Sequence, residues 1–190
     1  MQRTIYNTPI VKQICKGIAL VGLKIAGWKL EGRPPGEKKY VLVAVPHTSN
    51  WDFPITLSMA FVFGFDIYWM GKHTLFWGPM GPIMKWLGGI PIQRSKANNI
   101  VQQTIDAFNS RDSLVVAVPP EGTRSKVTQW KTGFYYIATG ANVPIGMGYL
   151  DYEKKIGGFG PTFYPTGDID ADIAKMQLFY ANISGKYKDK

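Results

Sequence analysis

Apolar and polar residues follow two different periods along this chain, and each change of period marks an element. In TPIVKQICKGIALVGLKIAGWKLEG (8–32) the apolar residues recur at helical spacing. Ile10, Val11, Ile14, Ile18, Val21, Ile25 and Trp28 fall on one face, while Lys12, Lys16 and Lys24 cluster away from it. The stretch is predicted to be an amphipathic helix. Its apolar face has two available destinations, the core of the domain or the interface of a membrane. The loop EGRPPGEKK (31–39) ends this element.

Beyond it the pattern alternates. YVLVAVP (40–46) is a continuous apolar, β-branched run, which predicts a strand buried on both faces. A helix follows, roughly Asp52 to Phe63. FDIYWMG (65–71) reads as a strand, and GPMGPIMKWLG as a helix punctuated by Gly and Pro. GIPIQR (89–94) is a short strand, and KANNIVQQTIDAFNS (96–110) a helix with an Ile100, Ile105, Phe108 stripe. SLVVAVPP (113–120), TGFYYIATGA (132–141) and VPIGMGYLDY (143–152) continue as strand, helix and strand. GFGPTFYPTG (158–167) is assigned as a last edge strand, because prolines are tolerated where no ladder bond is lost. DIDADIAKMQLFYANISGKY (168–187) closes the chain as a helix with acidic residues in its first turn. Such alternation predicts an α/β fold with a mixed, mostly parallel sheet flanked by helices. With no repeat or low-complexity segment, residues 1–190 are read as one domain: an N-terminal amphipathic helix (1–32) and an α/β core (40–187).

Composition narrows the partners. The 190 residues are 45% hydrophobic and 18% charged, the balance of a globular chain. A single cysteine, Cys15, excludes an intramolecular disulfide and a cysteine-based metal cluster, and no metal site is expected. The net charge of +9 favours an anionic partner: nucleic acid, an acidic protein, phosphorylated small molecules or an anionic bilayer. Lysines interrupt every apolar run before it reaches spanning length, and the N-terminus lacks a signal-peptide pattern. A cytoplasmic location is expected. The basic residues are spread along the chain with no recognised nucleic-acid motif, so no nucleic-acid partner is expected.

Three loops after predicted strands carry candidate chemistry. In PHTSNWDF (46–53), His47 precedes Asp52, and Ser49 or Asn50 is placed to cap the next helix. A carboxylate on one imidazole nitrogen fixes the tautomer and supports the imidazolium formed at the other. Alternatively, His47 caps the helix and Asp52 meets its dipole. In PPEGTRSK (119–126) the free backbone N–H groups of a Gly-containing loop and the Arg124 guanidinium suit a phosphate. Glu121 there can orient Arg124 or accept a bond from a polyol; the competing reading is a tight turn with a surface ion pair. In GGIPIQRSK (88–96), Arg94 ends a strand. Lys72 and His73 also follow a strand, and either add to a basic pocket or are ordinary loop residues.

Taken together these blocks resemble a known family. HTSNWD (47–52), GGIPIQR (88–94), PEGTR (120–124) and NVPIG (142–146) are similar, in order and approximate spacing, to motifs of the glycerolipid acyltransferases. That superfamily holds 1-acylglycerol-3-phosphate and glycerol-3-phosphate acyltransferases. Pro46 and Pro119 stand where members often have Asn and Phe. The resemblance implies transfer of a fatty acyl group from an acyl thioester, on CoA or acyl carrier protein, to a hydroxyl of a glycerophosphate or lysophospholipid. It implies no resident cofactor. His47 would be the general base and Asp52 its orienting partner. Arg124, Arg94 and Lys72 would hold the acceptor phosphate, with Glu121, Gly122 and Thr123 completing the site. A lipid acceptor places the protein on an anionic membrane surface, peripherally and on the cytoplasmic face. The contrasting reading is a peripheral lipid-binding module without turnover, in which His47 and Asp52 would be dispensable.

Overall fold

The computed structural model describes residues 3–92, 97–125 and 127–187, with the backbone alone for residues 97–99. A 3-10 turn at Ile5–Asn7 leads into α1 (Pro9–Ile25). The helix ends at Gly27, whose φ of 77° is left-handed. Gly27 N donates to Lys24 O and Trp28 N to Leu23 O, which is a Schellman ending. The helix predicted over 8–32 is therefore shorter, and Lys29–Glu31 forms strand β1 instead.

The elements that follow are β2 (Lys39–Ala44), α2 (Asp52–Phe63), β3 (Ile67–Lys72), α3 (Met80–Trp86) and β4 (Gly89–Ile92). Then come α4 (Ala97–Asn109), β5 (Leu114–Ala117), α5 (Gly133–Gly140), β6 (Ile145–Asp151), β7 (Ile156–Phe159) and α6 (Ile169–Tyr180). One seven-stranded sheet takes the order β1-β7-β6-β2-β5-β3-β4. All pairings are parallel except β6 with β7. The fold is the α/β class expected. Two placements differ from expectation. The last strand is Ile156–Phe159, lying between β1 and β6 rather than at an edge; of the Pro-containing stretch after it, Phe163 makes an isolated bridge to Ile145. The closing helix ends at Tyr180, and residues up to Tyr187 run on without helix.

The sheet separates two cores, because successive strand residues point to opposite faces. Val41, Val43, Leu114, Val116, Ile145 and Met147 join Phe108, Phe134, Ile137 and Met176 on the α4–α5–α6 side. Tyr40, Leu42, Val115 and Ile67 join Ala19, Ala60 and Phe61 on the α1–α2 side.

The topology also fixes where a site can form. The chain leaving β2 returns as β3, beyond β5, while the chain leaving β5 returns as β6, beyond β2. The two neighbouring strands thus send their connections to opposite sides, and a crevice opens between their C-terminal ends.

Candidate active site

The loops following β2 and β5 meet in that crevice. Asp52 is the first residue of α2, and Trp51 occupies the N-cap position rather than Ser49 or Asn50. Ser49 Oγ instead accepts from Trp51 N at 3.1 Å, and the Asp52 carboxylate folds back over its own N-terminal loop. Asp52 Oδ2 accepts from the backbone N–H groups of Thr48 and Ser49, each at 2.9 Å. The same oxygen lies 3.0 Å from His47 Nδ1. Its other oxygen, Oδ1, accepts from the Tyr152 hydroxyl at 2.7 Å. Burial raises the Asp52 carboxyl, but the bonds from His47, Tyr152 and the Ser49 N–H outweigh it and hold the group below its ordinary value. Asp52 is therefore a carboxylate at neutral pH. With Nδ1–H directed at Asp52, His47 Nε2 is left without a protein partner among the described residues. The His47 side chain retains 26% of its exposure, against 7% for Asp52.

From the β5 side, Glu121 Oε2 accepts from His47 N at 2.8 Å and ties the two loops together. Burial raises the Glu121 carboxyl, a shift partly opposed by that N–H and by the His47 charge. The turn that presents Glu121 closes through Gly122, at a φ of 64°, with Gly122 N donating to Pro119 O. A side chain at Gly122 would also run into Lys131. No ion pair joins Glu121 to Arg124 among the described residues. Gly122, Thr123 and Arg124 are exposed.

An apolar cavity of about 510 Å³ opens beside this pair. Its floor is the sheet, through Leu42, Ala44, Ala117, Gly148 and Leu150, and its roof is α2, through Phe53, Thr56 and Leu57. His47, Asp52 and Arg124 share its lining. The fold thus brings together His47, Asp52, Glu121 and Arg124. Lys72 ends β3 and His73 follows it, two places from β2 in the sheet, and neither is part of that lining. Arg94 lies outside the described residues. Among the described residues no cluster of His, Cys, Asp or Glu is arranged to hold a metal.

Tyr152 was not identifiable from sequence: it is 100 positions from Asp52 and belongs to no spacing pattern. Nor was the C-terminal segment. Lys186 N donates to Thr48 Oγ1 at 2.9 Å, and Tyr152 N donates to Ser184 O at 2.9 Å. Residues 184–186 therefore bridge the His47 loop and the end of β6.

The comparisons with known proteins agree with this architecture. The crystal structure of the 1-acyl-sn-glycerophosphate (LPA) acyltransferase PlsC from Thermotoga maritima is similar in fold, with a TM-score of 0.61. The match covers 93% of this chain and 81% of that one at 16% sequence identity. No curated protein matches the sequence. The Acyltransferase family model matches residues 29–146, which span β1 to β6 and hold His47, Asp52, Glu121 and Arg124, and the chain belongs to that family.

Proposed function

We propose that this acyltransferase moves a fatty acyl group from a thioester, acyl-CoA or acyl-ACP, to a hydroxyl of a glycerophosphate or lysophospholipid. The observation that carries this reading is the His47–Asp52 pair at the lip of an apolar cavity whose lining also includes Arg124. A volume of this order falls in the range of roughly 300–1,000 Å³ used for small-molecule sites. Its lining suits a hydrocarbon chain.

The chemistry balances without a protein nucleophile. His47 Nε2 takes the proton of the acceptor hydroxyl as its oxygen bonds to the thioester carbonyl carbon. Collapse of the tetrahedral oxyanion breaks the C–S bond, and the imidazolium returns the proton to the departing thiolate. The products are an ester and a free thiol. Such base catalysis contributes about 10²–10⁴-fold, and holding the two substrates in register contributes more, about 7–11 kcal/mol. Arg124 supplies a planar cation for the acceptor phosphate, with the exposed backbone of Gly122 and Thr123 beside it. Glu121 Oε1 has no protein partner among the described residues and suits an acceptor hydroxyl. Lys72 and Arg94 remain candidates for holding the acceptor phosphate.

We further propose a peripheral seat on the cytoplasmic face of an anionic membrane. Among the described residues no helix is long and apolar enough to cross a membrane. The α1 face does not turn inward: Ile10 is 75% exposed, Ile18 66% and Ile25 83%. Only Ala19 and Leu23 of this helix are buried. Each lysine near an anionic surface adds about 1 kcal/mol.

The test is mass spectrometry of products from purified protein given mixed acyl-CoA and acyl-ACP donors with phosphorylated and unphosphorylated acceptors. The expected result is an ester of the phosphorylated acceptor, lost in folded His47→Ala. Arg124→Ala should raise KM for the phosphorylated acceptor far more than for the unphosphorylated one. A folded His47→Ala protein with near-normal turnover would remove the base from the mechanism.

A further inference from the structure

The hydrogen bonds on the Asp52 carboxylate are unevenly divided. Oδ2 receives His47 Nδ1 and two backbone N–H groups, all supplied by the loop that precedes it. Oδ1 receives one donor, the Tyr152 hydroxyl, at 2.7 Å and from the far end of β6. We infer that Tyr152 is a positioning residue for the His47–Asp52 pair, its hydroxyl fixing the carboxylate oxygen that His47 does not use. This inference rests on the reading of His47 as the general base.

Apart from its bond to Asp52, Tyr152 is held at two points. Its backbone N–H donates to Ser184 O at 2.9 Å. Its ring meets Trp28 edge-on, with centroids 5.0 Å apart. Its hydroxyl stays protonated, because burial and then the Asp52 carboxylate both raise it. A group that cannot ionise near neutral pH and cannot swing away serves as a fixed donor. Without that donor the carboxylate keeps its charge but loses one of its two anchored oxygens. The Tyr152 bond also draws charge out of the carboxylate, so its removal leaves Asp52 a stronger partner for the imidazolium. The other titratable and charged groups nearby are Glu121 on the β5 side and Arg124 of the cavity lining, with Tyr187 of the C-terminal segment acting on Tyr152 itself.

The variant that isolates the hydroxyl is Tyr152→Phe, which keeps the ring against Trp28. In full-length protein with the donor and acceptor that support wild-type turnover, kcat should fall roughly three- to tenfold, a fraction of the base's own contribution. Acceptor KM should stay within about twofold, and the acidic limb of the kcat–pH profile should move to higher pH. Trp28→Phe keeps the hydroxyl and should leave that limb in place. A second readout does not need turnover: the imidazole ring titration of His47, followed by NMR and assigned by its loss in His47→Ala, should shift in the same direction. A Tyr152→Phe protein whose limb and His47 titration coincide with wild type overturns the inference, even if kcat falls with stability. If wild type transfers no acyl group under any donor and acceptor, the functional reading fails on its own, and the NMR titration still decides the Tyr152 contact.

Discussion

The two faces of the central sheet are built from the same strands and packed in opposite ways. On the α4–α5–α6 face, Val41 stands across from Val116, and Val43 from Met147, all within the buried core. On the α1–α2 face, Leu42 stands across from Ala117, and Ala44 from Gly148. At three of these four positions the side chain one residue along is smaller, Ala117 after Val116, Ala44 after Val43 and Gly148 after Met147, and all three line the cavity. Close-packed interiors normally hold no such void, so a cavity kept open beside an acid–base pair marks where the fold gives up packing for a substrate. The difference teaches which face is free to change for stability and which for specificity.

The largest effect should come from opening the packed face. Phe108 is fully buried there, and Phe108→Ala should cost about 3–5 kcal/mol in denaturant unfolding while leaving the acyl-chain preference unchanged. The converse change fills the other face. Ala117→Phe should lower kcat/KM for long-chain thioesters by about 100-fold, some 2.7 kcal/mol, and for butyryl donors by only a few-fold. Its melting temperature should stay near wild type, since the ring enters space already empty. An unchanged chain-length ratio in that variant would show that the cavity does not hold the acyl chain.

At the cavity's lip the comparison concerns charge rather than volume. The Asp52 carboxyl is held below its ordinary value of 3.8, so its ionic form stabilises the fold. That contribution is fully present above the unfolded value and is lost as pH falls through the folded one. As pH falls from about 4 into the acid range, wild type should therefore lose unfolding free energy relative to Asp52→Asn, as the carboxylate is protonated. A difference that stays constant through that acid range would assign the stabilisation to another group.

The smallest effect on the fold is expected at α1, where Ile10, Ile14, Ile18, Val21 and Ile25 of the apolar stripe belong to neither core. Ile18→Ser should change unfolding free energy by no more than about 0.5 kcal/mol. Sedimentation with anionic vesicles should fall several-fold in the same variant, and high salt should weaken wild-type binding further. If Ile18→Ser instead destabilises the protein by more than about 2 kcal/mol, the stripe is packed in solution.

Several of these features could be read in the sequence, and the reasons are local. The run 40–46 is apolar at every position because β2 is buried on both faces, and α2 has the bounds that its pattern predicts. β1 could not be read, because it is three residues of mixed character whose only strand partner among the described residues is β7, more than 120 positions away. The last strand was misplaced toward the prolines because Gly157 and Gly158 hide the strand signal of Ile156–Phe159.

For the site the division is similar. His47 and Asp52 lie five positions apart on one loop, so their contact needs only a local fold-back of the chain. Glu121 and Arg124 were legible as a loop, but the bond from His47 N to Glu121 exists only because parallel pairing of β2 and β5 aligns their C-terminal ends. Tyr152 reaches Asp52, Lys186 reaches Thr48 of the same loop and Trp28 backs the Tyr152 ring, from three distant segments, and no periodicity announces such a meeting. The amphipathic period of α1 determined that the helix has an apolar face, since that follows from 3.6 residues per turn. Which way the face points was decided by tertiary packing: α2 takes up the Ala19 and Leu23 side, and Ile10, Ile18 and Ile25 are left facing outward.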